Sequence, residues 1–252
     1  MSIPSPEHIV NLVIQNSNNL DYIKLDEVLF PIIKNNITSF SEEEVWDYIE
    51  KYKSNISKLF FEKENDAKED GVNINFDLSE EDNEFYIKFF DKPELKLLRE
   101  IQNDSPNNFE IFCKKILEKM GGNCEVIGGP YDGGIDFIAY DLSLSKLNRI
   151  STIGSKIQLV GQAKRYTNGN NIKEKELREF IGASTKIIHE FKQNRSERFG
   201  IFQPIILAFW TTSDFHSNAK SYAKKFGIWY LNGIALCQLA IELGVKSLSD
   251  SN

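Results

Sequence analysis

Histidine and cysteine are scarce in this chain, three of each in 252 residues. The cysteines, Cys113, Cys124 and Cys237, are odd in number, scattered, and not at metal-ligand spacing. They read as reduced thiols of a cytoplasmic protein. Of the histidines, His189 falls near the end of one helical stretch and His216 near the start of another, surface or capping places rather than those of a general base. His8 lies apart from both. No apolar run approaches the ~20 residues needed to span a bilayer. The opening "MSIPSPEHIV" lacks the basic-then-apolar order of a secretory signal. Basic residues are also in deficit: 30 Lys and Arg against 37 Asp and Glu, a net charge of −7. That balance argues against a general nucleic-acid binder. What is there is an ordinary globular composition, 41% apolar and 27% charged, in a length that suits one large domain or a medium domain with a smaller companion.

The charge is unevenly spread. Residues 1–95 hold 9 basic and 21 acidic residues, a net of −12, whereas residues 96–252 hold 21 and 16, a net of +5. Such asymmetry predicts two units with different partners. Residues 6–60 carry apolar positions at spacings of three and four, through Ile9, Leu12 and Val13, then Val28, Leu29 and Ile32, then Val45, Tyr48 and Ile49; they predict helices. Ser41 and Glu44 fit a capping box ahead of the third helix. Residues 62–84 form an acidic, hydrophilic stretch in which "VNINFDL" alternates as a strand does, with "FYIKFF" (85–90) able to pair with it. Three helices followed by a hairpin resemble a winged helix, although the acidic charge does not suit phosphate. The plainer reading is a mainly helical accessory domain that binds a protein partner. Pro93 and "NDSPNN" (103–108) are the boundary signals.

From residue 107 helices and strands alternate. "NNFEIFCKKILEKMGG" is an amphipathic helix with Asn107 or Asn108 at its start and Gly121 at its end. "CEVIGG", "IDFIAYD" and "KIQLVGQAKRY" read as strands, with residues 141–155 a polar loop between the last two. "KEKELREFIGASTKIIHEF" is a helix, and "PIILAFWTT" a strand buried on both faces. A helix, a short strand "IWYL" and a final helix "GIALCQLAIELG" follow. The order predicts an α/β fold in which a mixed sheet lies between helices, spanning 96–252 beside an accessory domain at 1–95.

Several polar residues do not suit their apolar surroundings. Asp136 follows Gly133 and Gly134, which allow a tight bend, just as the chain enters a strand. Gln162 and Lys164 are two apart on a strand and share a face, while Gly161 and Ala163 point the other way, small enough to sit under a helix. Glu110 lies in the first turn of the preceding helix, where the dipole favours any acid. Carboxylate and amide oxygens suit a hard divalent ion such as Mg²⁺. An ammonium beside such an ion can orient water and stabilise charge developing on a phosphate.

"FEIFCKKILEKMG…GGIDFIAYD…VGQAKRY" resembles the catalytic domain of Mrr-like restriction endonucleases, a branch of the PD-(D/E)xK nucleases in which Gln replaces the second acid. "WTTSDFHSNAKSYAKKFGIWYLNGIALCQL" resembles that family's closing strand, helix, strand and helix, so the likeness covers about 107–243. It implies that Asp136 binds metal, that Gln162 offers its amide oxygen, that Lys164 is the motif lysine, and that Glu110 joins the site and returns the charge lost at Gln162. Mg²⁺ is the implied cofactor, with Mn²⁺ able to substitute. The implied partner is DNA, cut in restriction or another anti-phage defence by a homodimer or higher assembly. The segment 141–155 is long for the family and is expected either to touch DNA or to lengthen the hairpin.

Other readings stand beside this one. Asp136 alone could be a turn residue and Lys164 with Arg165 a solvated strand end; the Gln162–Lys164 pair in register favours the site. Arg165, Tyr166, Lys173 and Lys175 fit a groove that tracks phosphates. Ser213 has no recognisable base and reads as the cap of the following helix. Phe209, Trp210, Trp229 and Tyr230 read as core. A nuclease acting on branched DNA or RNA is the alternative within enzymes. A protein that keeps the fold only to bind nucleic acid or a partner is the alternative outside them.

Overall fold

In the computed structural model of the chain, the described residues are 3–17, 19–70, 74–90, 92–127, 134–142, 156–166, 170–193 and 203–248. Gly133 and residues 143–155 of the expected loop lie outside them. The chain divides into two units, Met1–Leu95 with Asn168–Asn170, and Lys96–Thr167 with Asn171–Asn252.

The first unit contains α1 (Pro6–Asn16), β1 (Ile23–Lys24), α2 (Leu25–Asn36), α3 (Glu42–Asp70), β2 (Phe76–Glu81) and β3 (Glu84–Phe89). Ser5 caps α1, with Pro6 as its first residue. Ser41 and Glu44 form the capping box that starts α3: Glu44 Oε2 accepts from the Ser41 N–H at 2.7 Å, and Ser41 Oγ accepts from the Glu44 N–H at 3.2 Å. α3 then runs through "EKENDAKED", part of the stretch expected to be merely hydrophilic. That end has few apolar residues but carries an i,i+4 ion pair, Lys68 to Glu64 at 2.8 Å. β2 and β3 turn at Asp82 and Asn83, both left-handed at φ 51° and 61°, as a two-residue hairpin requires. The small sheet is ordered β1-β3-β2.

α4 (Pro93–Asn103) carries the chain into the second unit, which begins at Lys96, where the sequence pattern gave only a boundary. Pro93 is its first residue, and it sends Leu97, Leu98 and Ile101 into the core. α5 (Pro106–Lys119) is capped by Ser105, not by Asn107 or Asn108, because Pro106 occupies its first position. β4 (Asn123–Val126), β5 (Phe137–Leu142), β6 (Ile157–Lys164), α6 (Glu174–Gln193), β7 (Ile205–Thr211), α7 (Ser217–Phe226), β8 (Trp229–Leu231) and α8 (Gly233–Glu242) follow. The five strands lie in sequence order, antiparallel from β4 to β6 and parallel from β6 to β8.

This is the expected mixed sheet between helices. Phe109, Phe112, Cys113, Ile116 and Leu117 of α5, with residues of α4 and α8, pack on one face against Phe137, Leu159, Ala163 and Trp210. Leu177 and Phe180 of α6 and Ala219 and Ala223 of α7 pack on the other, against Ile138, Val160 and Phe209. The alternation along β6 follows from the two-residue period of a strand. It leaves Ala163 under the helix layer of α4, α5 and α8, as its small size predicts.

Candidate active site

The candidate site forms where the β5–β6 ladder ends. Regular pairing starts with Phe137 opposite Gly161. Asp136, one residue earlier, stays attached by two other bonds. Its backbone N–H donates to the Gly161 carbonyl at 3.0 Å. Its carboxylate Oδ2 accepts from the Ala163 N–H at 2.7 Å. A side chain thus takes the place of a strand carbonyl and sits on the backbone between Gln162 and Lys164.

Two more observations gather residues here. Gly134 has φ +87°, and a Cβ on it would come within 2.8 Å of Gln162 Nε2. The Gln162 side chain therefore lies against the bend that delivers Asp136, and the position has both the backbone angle and the space of glycine. Gln162 is buried, and Asp136, Glu110 and Lys164 are half-buried. On α5, Cys113 is fully buried; burial pushes its thiol pKa well up, and the charges of Asp136 and Glu110 push it further.

Lys164 ends β6 opposite Thr211 of β7. Its carbonyl accepts from the Thr212 N–H at 3.2 Å and from Thr211 Oγ1 at 2.7 Å. Among the described residues no acidic side chain forms an ion pair with its ammonium. Arg165 is tied down, its guanidinium donating to the Gln102 carbonyl at 2.7 Å. The Tyr166 hydroxyl donates to Glu176. Burial, then that bond, pushes the phenol pKa up to about 12. Glu176 also accepts from the Lys173 N–H at 2.9 Å. Lys173 and Lys175 are exposed, and Lys175 pairs loosely with Glu179 at 3.8 Å.

His216 caps α7, its Nδ1 accepting from the Asn218 N–H at 3.3 Å, and His189 is exposed on α6. Ser213 is not the cap of α7. Its N–H donates to Thr211 Oγ1 at 3.1 Å, and its carbonyl accepts from Gly233 at 2.9 Å. The sequence reading passed over Gln102, Thr211 and Thr212, which hold the end of β6. Two adjacent threonines in a strand carried no signal that set them apart.

Among the described residues no three His, Cys, Asp or Glu are grouped as a metal site. The oxygen donors at the β5–β6 junction are the Asp136 carboxylate and the Gln162 amide, and Glu110 is a half-buried carboxylate of α5. All are hard ligands of the kind a small divalent ion takes while keeping several waters.

The sheet order, the helix layers and the carboxylate seated on the "QxK" strand define a core of the restriction-endonuclease type. Residues 101–240 match the Mrr_cat family, described as restriction endonuclease. That span exceeds half of the chain, and the chain belongs to this family. Among solved structures the chain is similar to the MspJI restriction endonuclease in complex with a 27-mer oligonucleotide, at 16% identity and a TM-score of 0.40, over 61% of this chain and 32% of that one. It is also similar to the DNA modification-dependent restriction endonuclease AspBHI, at 18% identity and a TM-score of 0.41, over 62% and 37%. The match thus spans about a third of each of those chains. No curated protein matches the chain. Among the described residues no helix is long and apolar enough to cross a membrane.

Proposed function

We propose that this protein is a divalent-metal-dependent endodeoxyribonuclease that hydrolyses phosphodiester bonds in the cytoplasm, in restriction or another anti-phage defence. The observation that carries this reading is the Asp136 carboxylate bonded to the Ala163 N–H, between Gln162 and Lys164. Asp136, Glu110 and Gln162 would hold Mg²⁺, with Mn²⁺ able to take its place. When bound, such an ion makes water a better nucleophile and offsets charge on the phosphate. Lys164 orients the attacking water and stabilises charge gathering on the phosphate oxygens. The Ala163 N–H fixes the orientation of Asp136, and Glu110 returns the negative charge that Gln162 lacks.

Arg165, Tyr166, Lys173 and Lys175 form the wall along which the DNA backbone would run. Lys173 and Lys175 are the exposed cations of that group, and Arg165 and Tyr166 give it a fixed base. Cutting both strands needs two such sites, hence a homodimer or higher assembly on DNA. The acidic first unit is a surface for a protein partner.

The test is plasmid cleavage in Mg²⁺ or Mn²⁺, on methylated and unmethylated DNA side by side, with wild type and Lys164→Ala. Cleavage by wild type that falls about 10²-fold or more in Lys164→Ala is the expected result. DNA binding without cleavage, equal in both proteins, would instead assign a binding role. Cleavage confined to branched DNA or RNA would change the substrate.

A further inference from the structure

β6 outlasts its ladder with β5, and Lys164 stands on the end that only β7 still pairs. On the β7 side two buried threonines take over as strand pairing runs out. Thr211 is 0% exposed and Thr212 1%. Thr211 Oγ1 donates to the Lys164 carbonyl at 2.7 Å and accepts from the Ser213 N–H at 3.1 Å. The Thr212 N–H donates to the same Lys164 carbonyl at 3.2 Å. Thr212 Oγ1 accepts from the Tyr166 N–H at 2.9 Å and donates to the Tyr166 carbonyl at 2.8 Å. Both hydroxyls therefore donate and accept at once, which offsets the cost of burying them.

The threonines are anchored in turn. The Thr212 carbonyl accepts from Gln102 Nε2 at 2.8 Å, and the Gln102 carbonyl accepts from Arg165 at 2.7 Å. A Cβ on Gly233 would come within 2.6 Å of the Thr212 oxygen, so the start of α8 closes against it. α4, β7 and α8 thus converge on residues 164–166.

We infer that Thr211 and Thr212 are positioning residues for Lys164: their hydroxyls fix the backbone from which the lysine departs. The inference rests on the nuclease reading above. A lysine has a long flexible stem, so its ammonium is placed well only if the origin of that stem is fixed. Valine keeps the shape of threonine and loses the hydroxyl; serine keeps the hydroxyl and loses the methyl group. A packing role follows the methyl group, and a positioning role follows the hydroxyl.

The experiment compares Thr212→Val with Thr212→Ser, and Thr211→Val with Thr211→Ser, in the full chain. It reads single-turnover plasmid cleavage, DNA affinity and amide hydrogen exchange at residues 164–166. The valine variants should cleave roughly 10- to 100-fold more slowly with DNA affinity within about twofold of wild type, and the serine variants should stay within about threefold in rate. The Tyr166 amide, which loses its acceptor in Thr212→Val, should exchange faster in that variant and not in Thr212→Ser. Equal losses in the valine and serine variants, a loss confined to affinity, or unchanged Tyr166 exchange would overturn the inference. A wild type that does not cleave, with the exchange difference still present, overturns the nuclease reading and the catalytic meaning of the clamp while leaving the clamp itself demonstrated. If Thr212→Val does not fold, the Thr211 pair makes the same comparison through rate and through exchange at Ser213, the amide that donates to Thr211 Oγ1.

Discussion

At the scale of single residues, the region around Asp136 depends on what small residues leave open. A Cβ on Gly161 would lie 2.0 Å from the Phe137 ring, so the ring occupies the place of a side chain. Gly161→Ala is expected to lower stability by about 1–3 kcal/mol through overpacking, checked by urea denaturation. The Ala163 amide proton, bonded to the Asp136 carboxylate, should shift in an NMR titration with Mg²⁺ and stay unmoved in Asp136→Ala. Asp136, Gln162 and Lys164 could be found in the sequence because each is a polar residue in an apolar setting. Thr211 and Thr212 could not, because threonine is at home in a strand and nothing in "WTTSDF" says where its hydroxyls point. Ser213 misled for the converse reason. It lies near the start of α7, but a backbone excursion to Asp214, whose carbonyl accepts from the Ile172 N–H at 2.8 Å, delays the helix until His216 can cap it.

At the scale of elements, the sequence pattern found every strand of the large sheet and seven of the eight helices of the described residues. α4 escaped because Pro93 and the polar "NDSPNN" frame it like a linker, although Leu97, Leu98 and Ile101 follow helical spacing. The last turns of α3, residues 62–70, escaped because beyond Phe60 and Phe61 they carry charge and no apolar stripe. The start of α3 was legible, since a capping box is written in residue identity alone. Ser41→Ala removes an acceptor for the Glu44 N–H and should cost about 1 kcal/mol. The change should appear as a lower midpoint in thermal unfolding of the first unit, with the second unit unchanged.

At the scale of the whole molecule, the formal charge of −7 conceals two populations of charge, −12 over residues 1–95 and +5 over residues 96–252. A fragment of residues 92–252 keeps α4 whole, with Leu97, Leu98 and Ile101 in their core. It is expected to fold, to melt cooperatively, and to keep the plasmid cleavage proposed for the full chain, measured against the full chain on the same plasmids. The two units also give the protein a divided chromatographic character. A quaternary-amine resin should capture it through one end of the sequence and immobilised heparin through the other, whereas the 92–252 fragment should pass the first and bind the second.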